Sequence, residues 1–120
     1  MNRKSSVTST LDGGVLTIKI SGEIDHHTAK SIRENADRDI FCHRVKNTVI
    51  DLSEVDFMDS SGLGLILGRY SAIKSLGGTL QIIGASERTV QILKMSGVDK
   101  IISINPKTSI KGVKDEKRNY

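Results

Sequence analysis

The sequence predicts an α/β domain: one mixed, mostly parallel sheet with an N-terminal hairpin and helices after strands two, three and four. Three observations predict it. Residues 6–11 and 15–20 read as strands on either side of Asp12-Gly13-Gly14, a hairpin turn signal. After them, strand-like apolar runs alternate with helix-like runs, which implies crossover units and parallel strands. The chain's 120 residues suit one hydrophobic core, and no repeat or second domain interrupts them.

Each element follows from its own pattern. In the second strand Leu16, Ile18 and Ile20 alternate with Val15, Thr17 and Lys19, the period of a half-buried strand. The strand ends at Ser21-Gly22-Glu23-Ile24-Asp25, where Asp25 suits an N-cap. Ala29, Ile32, Ala36 and Ile40 recur at steps of three and four, one face of a helix ending near Phe41 to His43. Val45 to Leu52 is the third strand, apolar enough to be central and buried on both faces. Ser53 to Asp59 connects it to the second helix, with Phe57 and Met58 expected to plug the end of the core. Leu63, Ile66, Leu67, Tyr70 and Ile73 mark that helix, which stops at Gly77-Gly78. Thr79 to Gly84 is the fourth strand, Glu87 to Ser96 the third helix, and Ile101 to Ile104 a short last strand. Residues 1–105 form the domain. Residues 106–120 form a polar, basic tail without periodicity, read as disordered.

Composition excludes several functions. Aromatic residues are 3% with no Trp, so platforms for stacking bases are nearly absent. Of the net +4, Arg3 and Lys4 supply +2 and the stretch after Pro106 supplies +3, which leaves −1 for residues 5–105. A nucleic-acid binder needs a basic face on the fold itself, so none is expected. No apolar run approaches the roughly 20 residues of a membrane span. The N-terminus has no signal-peptide core, and the single Cys42 forms no internal disulfide; a cytoplasmic protein is expected.

The motifs sort in the same way. Gly62-Leu63-Gly64-Leu65-Ile66-Leu67-Gly68 departs from the dinucleotide fingerprint in spacing and position. Gly64 and Gly68 read instead as points where the helix approaches a neighbour closely. His26-His27 and Cys42-His43 lack further ligands at suitable spacing, so no metal is expected. Ser60 lacks the nucleophile elbow, so no catalytic residue and no enzyme activity is assigned. The acidic residues are more informative. Asp51, Glu54, Asp56 and Asp59 fall within nine residues that contain no Lys or Arg. Parallel strands two and three end on one edge, so Glu23, Asp25, Asp59, Ser60 and Ser61 are expected to share one rim. On the residues alone two readings stay level: Asp25 and Asp59 merely cap helices, or the rim is a site.

Phe57-Met58-Asp59-Ser60-Ser61-Gly62-Leu63-Gly64 resembles the signature of the STAS domain of bacterial anti-sigma factor antagonists. Gly22-Glu23-Ile24-Asp25-His26-His27-Thr28-Ala29 resembles the family's second signature, and Leu65 to Tyr70 with Met95-Ser96-Gly97 extends the likeness over about residues 7–105. The resemblance implies a STAS-like single domain and a partner switch without cofactor. Such an antagonist binds an anti-sigma factor that is also a serine kinase and so releases a sigma factor. The kinase then phosphorylates the antagonist, which dissociates until a PP2C-type phosphatase restores it. The phosphorylated residue would be Ser60, with Ser61 its neighbour. The partner-binding residues would be Glu23, Asp25, Asp59, Ser60, Ser61, Gly62 and Leu63. The protein is expected to be a monomer. A STAS module in a different signalling or transport complex is the alternative.

Overall fold

The computed structural model describes residues 5–107. The tail expected to be disordered lies almost entirely outside them. Five strands form one sheet in the order β1-β2-β3-β4-β5: β1 Ser5–Asp12, β2 Val15–Ile24, β3 Asn47–Met58, β4 Thr79–Ala85 and β5 Ser103–Pro106. β1 runs antiparallel to β2, and the other pairs are parallel. The helices α1 Ala29–His43, α2 Ser61–Ser75 and α3 Glu87–Met95 fill the three crossovers, and a 3₁₀ turn at Val98–Lys100 precedes β5. The predicted class and connectivity are therefore the observed ones.

Neighbouring strands follow in chain order, so right-handed crossovers put all three helices on one side. The burial pattern agrees. Leu16, Ile18 and Ile20 of β2, Thr48, Ile50 and Leu52 of β3, and Leu80 and Ile82 of β4 are buried. The residues between them, such as Thr17, Val49 and Gln81, are only half-buried or exposed. The third strand is thus buried on one face, not on both. Its apolar run reflects a central position in a sheet whose other face carries Thr17, Lys19, Asp51 and Gln81.

α1 seats Ile32, Ala36 and Ile40 in the core, the predicted face. α2 is turned from its predicted face: Gly62, Leu65, Ile66, Arg69 and Ile73 are buried, while Leu67 is 38% exposed. The expected close approach at Gly64 and Gly68 is absent, since a Cβ at either would meet nothing within 4 Å. α3 starts as predicted at Glu87 and is capped by Ser86, whose Oγ accepts from Thr89 N–H at 3.2 Å. β5 starts at Ser103, not at Ile101, because Val98–Lys100 winds into a 3₁₀ turn and leaves Ile101 exposed.

The largest departure is at β3. It runs on through the expected connector to Met58, pairing Glu54, Val55, Phe57 and Met58 with Ser21, Gly22, Glu23 and Ile24 across two register shifts, at each of which β3 carries one residue more than β2. Of the expected pair of plugs only Met58 is buried; Phe57, on the opposite side of the pleat, is 41% exposed.

Candidate functional site

Two strand ends and two helix starts meet at one corner of the sheet. Ile24 lies opposite Met58, and the Asp59 N–H donates to the Ile24 carbonyl at 3.1 Å. That bond fastens the end of β3 to the end of β2. Glu23, Asp25, Asp59, Ser60 and Ser61 are accordingly brought to a single rim, as the parallel arrangement predicted.

The two aspartates are held by their own turns. Asp25 is buried, and its Oδ1 accepts the N–H groups of His27 at 2.9 Å and Thr28 at 3.0 Å. Its carbonyl accepts from Ala29 N–H at 2.9 Å, so it heads the turn that winds into α1. The helix cap itself is Thr28, three residues after the predicted Asp25, because a turn of residues 26–28 intervenes. Thr28 Oγ1 donates back to the Glu23 carbonyl at 2.7 Å, which ties this turn to the end of β2. On the other side, Asp59 Oδ1 accepts the Ser61 N–H at 2.8 Å, and the Asp59 carbonyl accepts the Gly62 N–H at 3.0 Å.

Asp59 therefore does the capping that a serine at the helix start would otherwise do. Ser60 occupies the cap position with helical backbone angles, makes no side-chain capping bond and is exposed. Ser60 stands at the N-terminal end of α2, where a negative charge is favoured. Ser61 is half-buried and faces a cleft of about 290 Å³ lined also by Ala29, Arg33, Gly64 and Leu65.

Gly62 fixes how deep α2 sits. A Cβ there would come within 2.5 Å of Met58 Cγ and Sδ, so any larger residue would force the Met58 side chain to shift out of its place in the core. Leu63 packs partly against the core beside it. Sequence reasoning missed Arg69, which supports the corner from below. It is buried between α1 and α2, with Nε 2.7 Å from Asp37 Oδ1 and Nη1 donating to the Leu65 carbonyl at 3.1 Å. The Nε–H is not aligned with Oδ1, so the pair is an electrostatic contact more than a straight hydrogen bond. Burial pulls the Arg69 guanidinium below the usual arginine range; Asp37 opposes that shift and Arg33 adds to it. A signal existed: Arg69 lies three residues after Ile66 and four before Ile73, inside the apolar stripe.

A family model described as "STAS domain" matches residues 6–110. The chain belongs to the STAS family. Among curated relatives, the anti-sigma F factor antagonist of Paenibacillus polymyxa is 42% identical over 91 residues, which are 76% of this chain and 78% of that protein. The anti-sigma-B factor antagonist of Bacillus subtilis is 32% identical over 93 residues, covering 78% and 84%. The anti-sigma factor antagonist SpoIIAA in its unphosphorylated form superimposes with a TM-score of 0.72 at 25% identity, over 88% of this chain and 90% of that one. This STAS domain is thus a homologue of anti-sigma factor antagonists, regulatory binding proteins rather than enzymes. Among the described residues, no helix is long and apolar enough to cross a membrane.

Proposed function

We propose that this STAS domain is an anti-sigma factor antagonist, switched off when a serine kinase that is also the anti-sigma factor phosphorylates Ser60. One observation carries the reading: Ser60 is exposed, with its capping duty taken by Asp59. The hydroxyl can be modified without unwinding α2. The unphosphorylated corner binds the anti-sigma factor through Glu23, Asp25, Asp59, Ser60, Ser61, Gly62 and Leu63, and so frees a sigma factor in the cytoplasm. A PP2C-type phosphatase resets it.

Phosphorylation adds a charge of about −1.5 to −2. In the free chain, water screens that charge from Asp25 and Asp59. Docking of the partner removes the water. At about 7 Å and an effective dielectric of about 20, a dianion facing one carboxylate is opposed by roughly 2–5 kcal/mol. That weakens binding by about one and a half to three and a half orders of magnitude.

The test is to mix the purified protein with its anti-sigma kinase and ATP and weigh the intact chain. One added phosphate is expected, absent from Ser60→Ala and retained in Ser61→Ala. No gain, or a gain that survives Ser60→Ala, overturns the assignment. Recovery of a transporter component instead of an anti-sigma factor in a pull-down overturns the partner.

A further inference from the structure

β3 outruns its neighbour on one side. It pairs with β4 only from Asn47 to Asp51, while its ladder with β2 continues to Met58. At Gly84, with a φ of +74°, β4 still lies close against Ser53, but its ladder with β3 has ended at Asp51 and Ile83. The Ser53 N–H is taken by Asp51 Oδ1 at 2.9 Å, and its carbonyl accepts from Lys107 Nζ at 3.1 Å. From Glu54 to Phe57, among the described residues, no backbone hydrogen bond arrives from the β4 side. Glu54, Asp56 and Phe57 are exposed along this edge. An open strand edge is a template for another strand.

We propose that this open edge of β3 receives an extended, Lys- or Arg-bearing segment of the anti-sigma factor, laid as an added strand beside Glu54–Phe57. The partner's identity rests on the function proposed above; the docking mode rests on the edge. Two observations favour a cationic segment. Glu54 and Asp56 point outward in a stretch with no Lys or Arg from Asn47 to Gly68. A lysine already serves this edge, where Lys107 satisfies the first carbonyl that β4 leaves behind. The edge is also continuous with the proposed interface, since Ser60 follows Phe57 by three residues. It is nevertheless distinct from the switch. The Asp59 bond to Ile24 puts the Ser60 corner on the β2 side of β3, and the open edge is on the other side. The edge anchors the partner, and Ser60 releases it.

Residue-resolved amide exchange on the full chain, alone and saturated with the anti-sigma kinase, tests this. The amides of Glu54–Phe57 that do not pair with β2 are expected to exchange freely alone and about tenfold or more slowly in the complex. Replacing both exposed acids (Glu54→Lys with Asp56→Lys) is expected to weaken binding about tenfold or more while the isolated fold is kept, as read by exchange elsewhere in the sheet. A complex that forms with unchanged exchange at this edge overturns the docking mode and leaves the Ser60 switch standing. Slow exchange of those amides in the isolated chain means that this protein covers its own edge, which also overturns it. No complex at all overturns both readings.

Discussion

At the scale of single residues, the corner divides its work between neighbours. Asp59 supplies the oxygen that the start of α2 needs, which leaves the Ser60 hydroxyl with no structural duty there. The division is measurable as stability. Ser60→Ala is expected to change the unfolding free energy by no more than about 0.5 kcal/mol, as at an ordinary surface position. Asp59→Ala removes a cap and is expected to cost about 1 kcal/mol. Denaturant unfolding of the two variants checks this, and a Ser60→Ala cost equal to that of Asp59→Ala would show that the hydroxyl is a cap after all. Much of this corner was legible in the sequence. Two acidic helix starts after parallel strands had to meet on one edge, and Asp25 and Asp59 do. Of the two aspartates only Asp59 serves a helix start directly; Asp25 holds the turn before α1, whose cap is Thr28, and Ser60 is left exposed. Phe57 was not legible: plug and surface differ only by which way the pleat turns, and that depends on β3 continuing.

At the scale of elements, the period-two and three-four patterns gave strands and helices their faces wherever one side was plainly apolar. β2 and α1 are the clear cases. The extension of β3 was hidden because Glu54 and Asp56 read as a loop. Their alternation with Val55 and Phe57 becomes a strand only through pairing with β2, a tertiary contact. α2 was misread for a related reason. Its apolar residues lie nearly all round, so they fix no face; Gly62 over Met58 and Arg69 against Asp37 do. That ion pair yields a prediction. Asp37 is 32% exposed, so its loss is partly compensated by water. Asp37→Ala is expected to cost about 1–3 kcal/mol, since it strands a buried cation between α1 and α2. Adding Arg69→Met to that variant is expected to recover most of the loss, because a flexible apolar chain fills the slot without a charge. Thermal unfolding of the single and double variants checks the pair. A double variant no better than Asp37→Ala would mean that Arg69 contributes packing and its Leu65 bond more than charge.

At the scale of the whole molecule, the question is whether a phosphate on Ser60 acts through its charge or by reshaping the fold. Residues 5–105 carry only −1, so the phosphate meets no strong global field and its effect is local. The start of α2 tolerates the charge, and Asp59 keeps the cap, so the phosphorylated chain is expected to unfold within about 1 kcal/mol of the unmodified one. Only the complex, where water no longer separates the phosphate from the acidic corner, is expected to suffer. Salt separates the two mechanisms. Screening shortens from about 10 Å at 0.1 M to about 3 Å at 1 M. If charge carries the switch, the affinity ratio between unmodified and phosphorylated protein shrinks as salt rises, while far-UV circular dichroism of the two forms stays the same. A remodelled fold predicts the reverse: altered dichroism, and an affinity ratio that salt leaves untouched. Titrating the anti-sigma kinase with both forms across that salt range decides between them. The charge mechanism is the one expected, because the exposed hydroxyl of Ser60 has no fold-bearing contact for a phosphate to break.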